Sequence, residues 1–308
     1  MKRHKTFLFL MLFSVLCTGC SQAESQSNAE LPDLDSIIQQ EDSTSSSEIT
    51  SEAETTQPET SAEPTDIFYL TSHGTETSSR LTKFRTQLET DGFIWNECEI
   101  SDIPADADIL IYNSPTEDLT SDEYQLLKEY MNQGGDLLLL LPASESETRY
   151  KFLNLLTESF SFQIDYDRIT VPIQDSELIF LQIIGMPDRM AYYDDSMQTT
   201  PVYMQNMRSF HMLGDYATDE MFVDVMLQTT ADAVGEPFGG TEDDPLTYEN
   251  EKLNIMVYSR DALRNNAAVV ACGASDFLLD ENFDSNMSQG AQKWVYSSLN
   301  WFINYNKY

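Results

Sequence analysis

Five consecutive leucines, Leu137 to Leu141, constrain this chain more than any other stretch. A strand with one wet face alternates apolar and polar residues, whereas an unbroken apolar run suits a strand buried on both faces. Such strands belong to parallel sheets covered by helices on both sides. The neighbouring sequence repeats the theme. Ile67 to Leu70 and Ile109 to Tyr112 are short apolar runs, and Phe93 to Ile100 is rich in strand formers. Leu81, Phe84 and Leu88 recur at helical spacing ahead of Gly92. Tyr124, Leu127 and Met131 line a second helix, opened by the capping box Thr120–Glu123 and closed by Gly134-Gly135. The order β-α-β-β-α-β predicts an α/β domain with a mostly parallel sheet covered by helices.

The middle of the chain predicts less. Tyr150 to Leu156 reads as helix, and Leu178 to Ile184 and Met221 to Leu227 read as strands. Residues 185–220 and 231–250 read as irregular, giving a partly β middle insertion. Order returns with strands at Leu253 to Tyr258 and Ala267 to Ala271. A final helix carries Trp294, Val295, Leu299, Trp301 and Phe302.

The first 65 residues have a different character. Lys2, Arg3 and Lys5 precede the ten-residue apolar run Phe7 to Leu16, which is too short to span a bilayer and fits a secretory signal peptide. The run ends in Gly19-Cys20, which resembles a bacterial lipobox with Cys20 as the lipidated residue. Residues 21–65 hold 11 acidic residues and no Lys or Arg, a composition that cannot bury enough apolar surface to fold. The expected organisation is a lipoprotein signal peptide over 1–20, a disordered acidic tether over 21–65 and a folded domain over 66–308. The expected location is outside the cytoplasm, on a bacterial cell membrane.

Asp and Glu number 52 against 17 Lys and Arg, a formal charge of −35. Such a surface repels phosphate backbones and anionic lipid, so nucleic acid is excluded as a partner and membrane contact is left to the anchor. No CxxC pair or Cys/His cluster offers a zinc site.

Several motifs share an order with one known family. Thr71-Ser72-His73-Gly74 resembles the "T-G-H-G-E" opening of the auxiliary domain of GldG-like proteins in ABC-type transport systems. Ile103 to Ile111 resembles its "I-P-x-D-x-D-V-L", and Ser114-Pro115 through Glu123 its "G-P-x-x-x-L-S-x-x-E". Tyr130 to Gly135, Val269 to Phe277 and Leu299 to Phe302 resemble its later elements. The resemblance implies a class I glutamine amidotransferase-like (flavodoxin-like) topology without the nucleophile. It also implies a non-catalytic role beside an ABC permease and ATPase or another envelope protein or glycan, with no cofactor.

Candidate site residues follow from strand ends, where parallel sheets present ligands. His73, Glu76, Ser114, Ser275 and Asp276 are the binding candidates. His73 with Glu76 would serve as an acid/base pair in the alternative reading, a hydrolase or amidotransferase-like enzyme; a substrate-binding lipoprotein is a third reading. Cys272 follows a buried strand, but Val270 stands where a nucleophile elbow needs a small residue. Cys98 reads as structural. Ser275-Asp276 with His73 or His211 supplies the residue types of a triad without a G-x-S-x-G context. Asp280, Asn282 and Asp284 alternate as in a calcium loop, yet Ser285 and Ala291 occupy the places that need Gly and Glu.

Overall fold

A computed structural model describes residues 64–143, 150–170, 179–183, 202–213, 220–229, 233–238, 248–249 and 252–305, with Met197 and Thr200. The chain divides into two compact units at Glu59/Thr60, and every element below belongs to the second.

In chain order the elements are β1 (Thr65–Leu70), α1 (Thr82–Thr90), β2 (Phe93–Cys98), β3 (Ile109–Asn113), α2 (Ser121–Asn132), β4 (Asp136–Leu140) and α3 (Lys151–Glu158). Next come β5 (Phe162–Ile164), β6 (Asp167–Thr170), β7 (Ile179–Ile183), β8 (Tyr203–Met204), β9 (Phe210–Met212), β10 (Met221–Thr229), β11 (Val234–Pro237) and β12 (Tyr248–Glu249). The chain closes with β13 (Asn254–Asp261), β14 (Ala267–Cys272), α4 (Asp280–Phe283) and α5 (Ser288–Tyr305).

Among the described residues one large sheet runs β2-β1-β3-β4-β14-β13-β10-β7-β8. The first five strands of that path are parallel, in register at Ile67 with Trp95, Phe68 with Leu110, Ile111 with Leu138 and Leu139 with Ala271. β13, β10, β7 and β8 follow antiparallel. β9 pairs with β5 and touches β13, and β6, β11 and β12 form a small second sheet. The leucines of β4 sit between β3 and β14, all fully buried, as their unbroken run requires.

Each face of the sheet carries its own core. On one, Leu81, Phe84 and Leu88 join Ile67, Tyr69, Trp95 and the α5 residues Trp294, Leu299 and Phe302. On the other, Leu127 and Met131 of α2 and Leu153 and Leu156 of α3 cover Leu110, Leu137 and Leu139. Alternate residues of β4 serve opposite cores, as the strand pleat dictates. The capping box forms as its sequence predicts: the Glu123 N–H donates to Thr120 Oγ1 (3.3 Å) and the Thr120 N–H to Glu123 Oε2 (2.8 Å).

Two expectations change. The parallel arrangement holds for five strands only; β13, β10, β7 and β8 continue the sheet antiparallel. Residues 185–220 and 231–250, read as irregular, contribute β8, β9, β11 and β12. These strands are two to four residues long, too short to show a period. The signal peptide, Cys20 and the tether through Glu63 lie outside the described residues. No helix among the described residues is long and apolar enough to cross a membrane.

Candidate functional site

The parallel strands β1, β3, β4 and β14 end side by side, and the loops leaving them interlock. His73 carries φ 61° and Ser114 φ 54°, left-handed conformations that cost a non-glycine residue energy and persist only when neighbours fix them. Here backbone bonds do so. The His73 carbonyl accepts from the N–H of Thr116 (2.8 Å) and Glu117 (3.3 Å), and the Glu76 N–H donates to the Asn113 carbonyl (3.1 Å). The Ser114 N–H donates to the Leu140 carbonyl (2.7 Å), tying β3 to the end of β4.

The structure brings Ser114 and Ser275 together across 161 positions of sequence: their Oγ atoms are 2.9 Å apart. Ser114 donates its hydroxyl proton to Asn113 Oδ1 (2.7 Å), so Ser275 is the donor to Ser114. That proton is therefore engaged with a second hydroxyl rather than with a histidine base. Ser275 is buried, and the His73 imidazole faces Glu123 instead.

His73 and Glu76, expected as a pair, take different partners. His73 Nε2 lies 2.9 Å from Glu123 Oε2, in the capping box of α2. Burial of Glu123 opposes its ionisation, but bonds from the Thr120 hydroxyl and amide and from His73 outweigh it and hold the carboxyl below the usual glutamate range. Glu76 pairs with Arg80 one helical turn on (3.0 Å), and Arg80 also bonds Glu281. The physical reason is the turn at His73-Gly74, which directs the imidazole toward α2 and leaves Glu76 beside the short helical turn Ser78–Arg80.

Cys272 is fully buried, and burial pushes its thiol up to about 12. A thiol so far from ionisation is no nucleophile. Cys98, on the edge strand β2, is likewise pushed up to about 11 by burial together with Asp102 and Glu99. Asp280, Asn282 and Asp284 do not converge on one point. The Lys83 N–H and Nζ bond Asp280 Oδ1 (2.8 Å) and Asp284 Oδ2 (2.5 Å), while Asn282 Nδ2 turns to the Asp276 carbonyl (2.9 Å).

Residues invisible as site residues in the sequence close the mouth over β4 and β14. The Asn206 carbonyl accepts from the Ala143 N–H (2.6 Å), and the Arg208 N–H donates to the Gly273 carbonyl (3.0 Å). Asn206 Nδ2 bonds Asp276 Oδ2. Arg208 is fully buried, its guanidinium 4.9 Å from the centre of the Tyr150 ring. Asp276 has its carboxyl raised by burial, which the Asn206 bond only partly offsets, with Glu76 and Glu281 adding to the rise. Beside it opens a cavity of about 160 Å³ lined by Tyr203, Met204, Asp276, Phe277, Asn282 and Met287, with Gln205, Ser285 and Ser288 completing the wall.

Fold and mouth together define an α/β domain whose parallel half runs β2-β1-β3-β4-β14, with helices covering both faces. Residues 73–172 match the family model of the IFT52 GIFT domain, about a third of the chain. The chain is similar to the solved structure of the mmIFT52 N-terminal domain, with TM-score 0.57 and 15% identity over 77% of this chain and 97% of that one. A ThuA-like protein from Bacteroides uniformis aligns at TM-score 0.47 and 14% identity, covering 80% of this chain and 95% of that one. No curated protein matches the chain. At such identities the likeness to mmIFT52 shows the fold. These findings overturn the reading of the chain as an auxiliary lipoprotein of an ABC-type transport system, and with it the ABC permease and ATPase as partners: the family model matched is that of IFT52, and so is the aligned domain.

Proposed function

We propose that the domain is a protein-binding component of a multi-protein assembly of the intraflagellar-transport type, built to hold partners rather than to turn over a substrate. One observation carries the reading: the IFT52 GIFT model matches the segment that builds half of the strand-end mouth, from His73 through α2 and β4 to β6. The chemistry of the mouth supports it. The Ser275 hydroxyl is spent on Ser114 and the Ser114 hydroxyl on Asn113, His73 braces a helix cap, and the Cys272 thiol stays protonated. These groups hold loops in shape, which is what a binding surface needs.

The test uses the full chain, tagged and captured with its partners under native conditions, with cross-links mapped by mass spectrometry. A stoichiometric partner cross-linked to the mouth loops, and lost when Met287→Glu blocks the cavity of a normally folded protein, is the expected result. A chain that hydrolyses amides, esters or glycosides, with activity lost in His73→Ala, overturns the proposal.

A further inference from the structure

The cavity beside Asp276 combines two kinds of wall. Met204, Met287, Phe277 and Tyr203 supply thioether and aromatic surface, and Asp276 supplies a carboxylate. Asp276 Oδ2 is occupied by Asn206, while Oδ1 accepts no hydrogen bond among the described residues. The surrounding charge is negative. Glu76 and Glu281 both act on Asp276, and Arg80, which opposes them there, is already bonded to those same two glutamates. Lys83, the next cation along, is held by Asp280 and Asp284. The site thus has an open acceptor in a partly buried, acid-biased setting, in a cavity whose wall also carries thioether and aromatic surface.

We propose that this cavity receives a lysine or arginine side chain from the partner protein, resting on the reading of the domain as a protein-binding module. The aliphatic stem lies along Met204, Met287 and Phe277, as long cationic side chains do against apolar surface. The charged tip donates to Asp276 Oδ1, a charge-assisted bond that strengthens as the site loses water. A volume of about 160 Å³ holds one side chain, not a helix or a strand. Met-lined walls adapt to either cation. The chain's charge of −35 draws basic segments toward it from a distance, and the cavity then selects where one residue lodges.

The test measures binding of three labelled peptides to the full chain at fixed ionic strength, alike except for a central lysine, arginine or norleucine. The lysine and arginine peptides should bind at least tenfold more tightly than the norleucine peptide. Asp276→Asn should remove that preference. Asp91→Asn takes away the same charge at the far end of α1 and should leave the preference intact. Equal binding of norleucine, equal weakening by Asp276→Asn and Asp91→Asn, or no binding by any peptide overturns the assignment. Met287→Ala, which opens the wall without touching charge, should weaken the cationic peptides severalfold, and unchanged binding counts against it. If Asp276→Asn keeps its native partner while the peptide result fails, the cavity assignment falls and the protein-binding reading stands.

Discussion

Replacing Gly273 by alanine should destabilise the domain by about 3–5 kcal/mol. Gly273 follows β14, and a Cβ built there would lie 2.0 Å from the Arg208 carbonyl oxygen and 3.0 Å from its carbonyl carbon. Nonbonded carbon–oxygen contacts settle beyond about 3.2 Å, so backbone would have to retreat by about 1.2 Å, and no rotamer change can substitute. Overpacking of this kind costs about 1–3 kcal/mol. The retreat also strains the bonds pinning the 206–209 loop: Arg208 N–H to Gly273, Ala143 N–H to Asn206 and Asp165 N–H to Ser209. Each is worth roughly 0.5–1.5 kcal/mol, and part of that sum is lost. Urea unfolding followed by tryptophan fluorescence reads the effect, since Trp95, Trp294 and Trp301 are all buried. Gly92→Ala is the comparison: its φ of 94° strains any side chain, but nothing lies within 4 Å of the new Cβ. It should cost only about 1 kcal/mol. A Gly273→Ala protein within about 0.5 kcal/mol of the parent would refute the claim that the loop seals the strand ends by backbone contact.

Thr120→Ala removes the α2 cap and should cost about 1 kcal/mol in chemical unfolding. The low Glu123 carboxyl stabilises the fold above the ordinary glutamate range and loses that contribution as pH falls, so the Thr120→Ala deficit should shrink in acid. Asp165 behaves oppositely. Burial raises its carboxyl to about 6, and Ser209 Oγ sits 2.8 Å from both Asp165 Oδ2 and Asp167 Oδ2. One hydroxyl has one proton to give, so the second contact requires a protonated carboxyl. Stability from this group is complete below the ordinary aspartate range and is lost as pH rises through about 6, by on the order of 2–3 kcal/mol. Asp165→Asn should flatten that slope in a series of unfolding curves from pH 4 to 7, and an unchanged slope would exclude Asp165 as its source.

The parallel half was legible because its signals are local and strong: unbroken apolar runs, one capping box and glycines at helix ends. Convergence of Ser114 with Ser275 follows from strand ends meeting at one edge. The pairing of His73 was not legible, since Glu76 is near in sequence and Glu123 near only after α2 packs. Its one trace was the capping box itself, which announces a carboxylate fixed at a helix start. Asn206 and Arg208 left no trace, because a covering loop has no periodicity and draws its meaning from what it covers. The antiparallel strands were partly missed because pairs such as Tyr203–Met204 are defined by their neighbours rather than by propensity.

The position of β14 bears on how the protein is made. It lies between β4 and β13, at the centre of the large sheet, yet it is the last strand among the described residues. During synthesis β4 emerges more than a hundred residues before the strand that covers its second edge. Until then its leucines and unpaired backbone form an open template for any passing strand. Completion of the sheet waits for β14, so a chain caught before it is made is left with a sticky interior edge, the situation in which holding chaperones matter most.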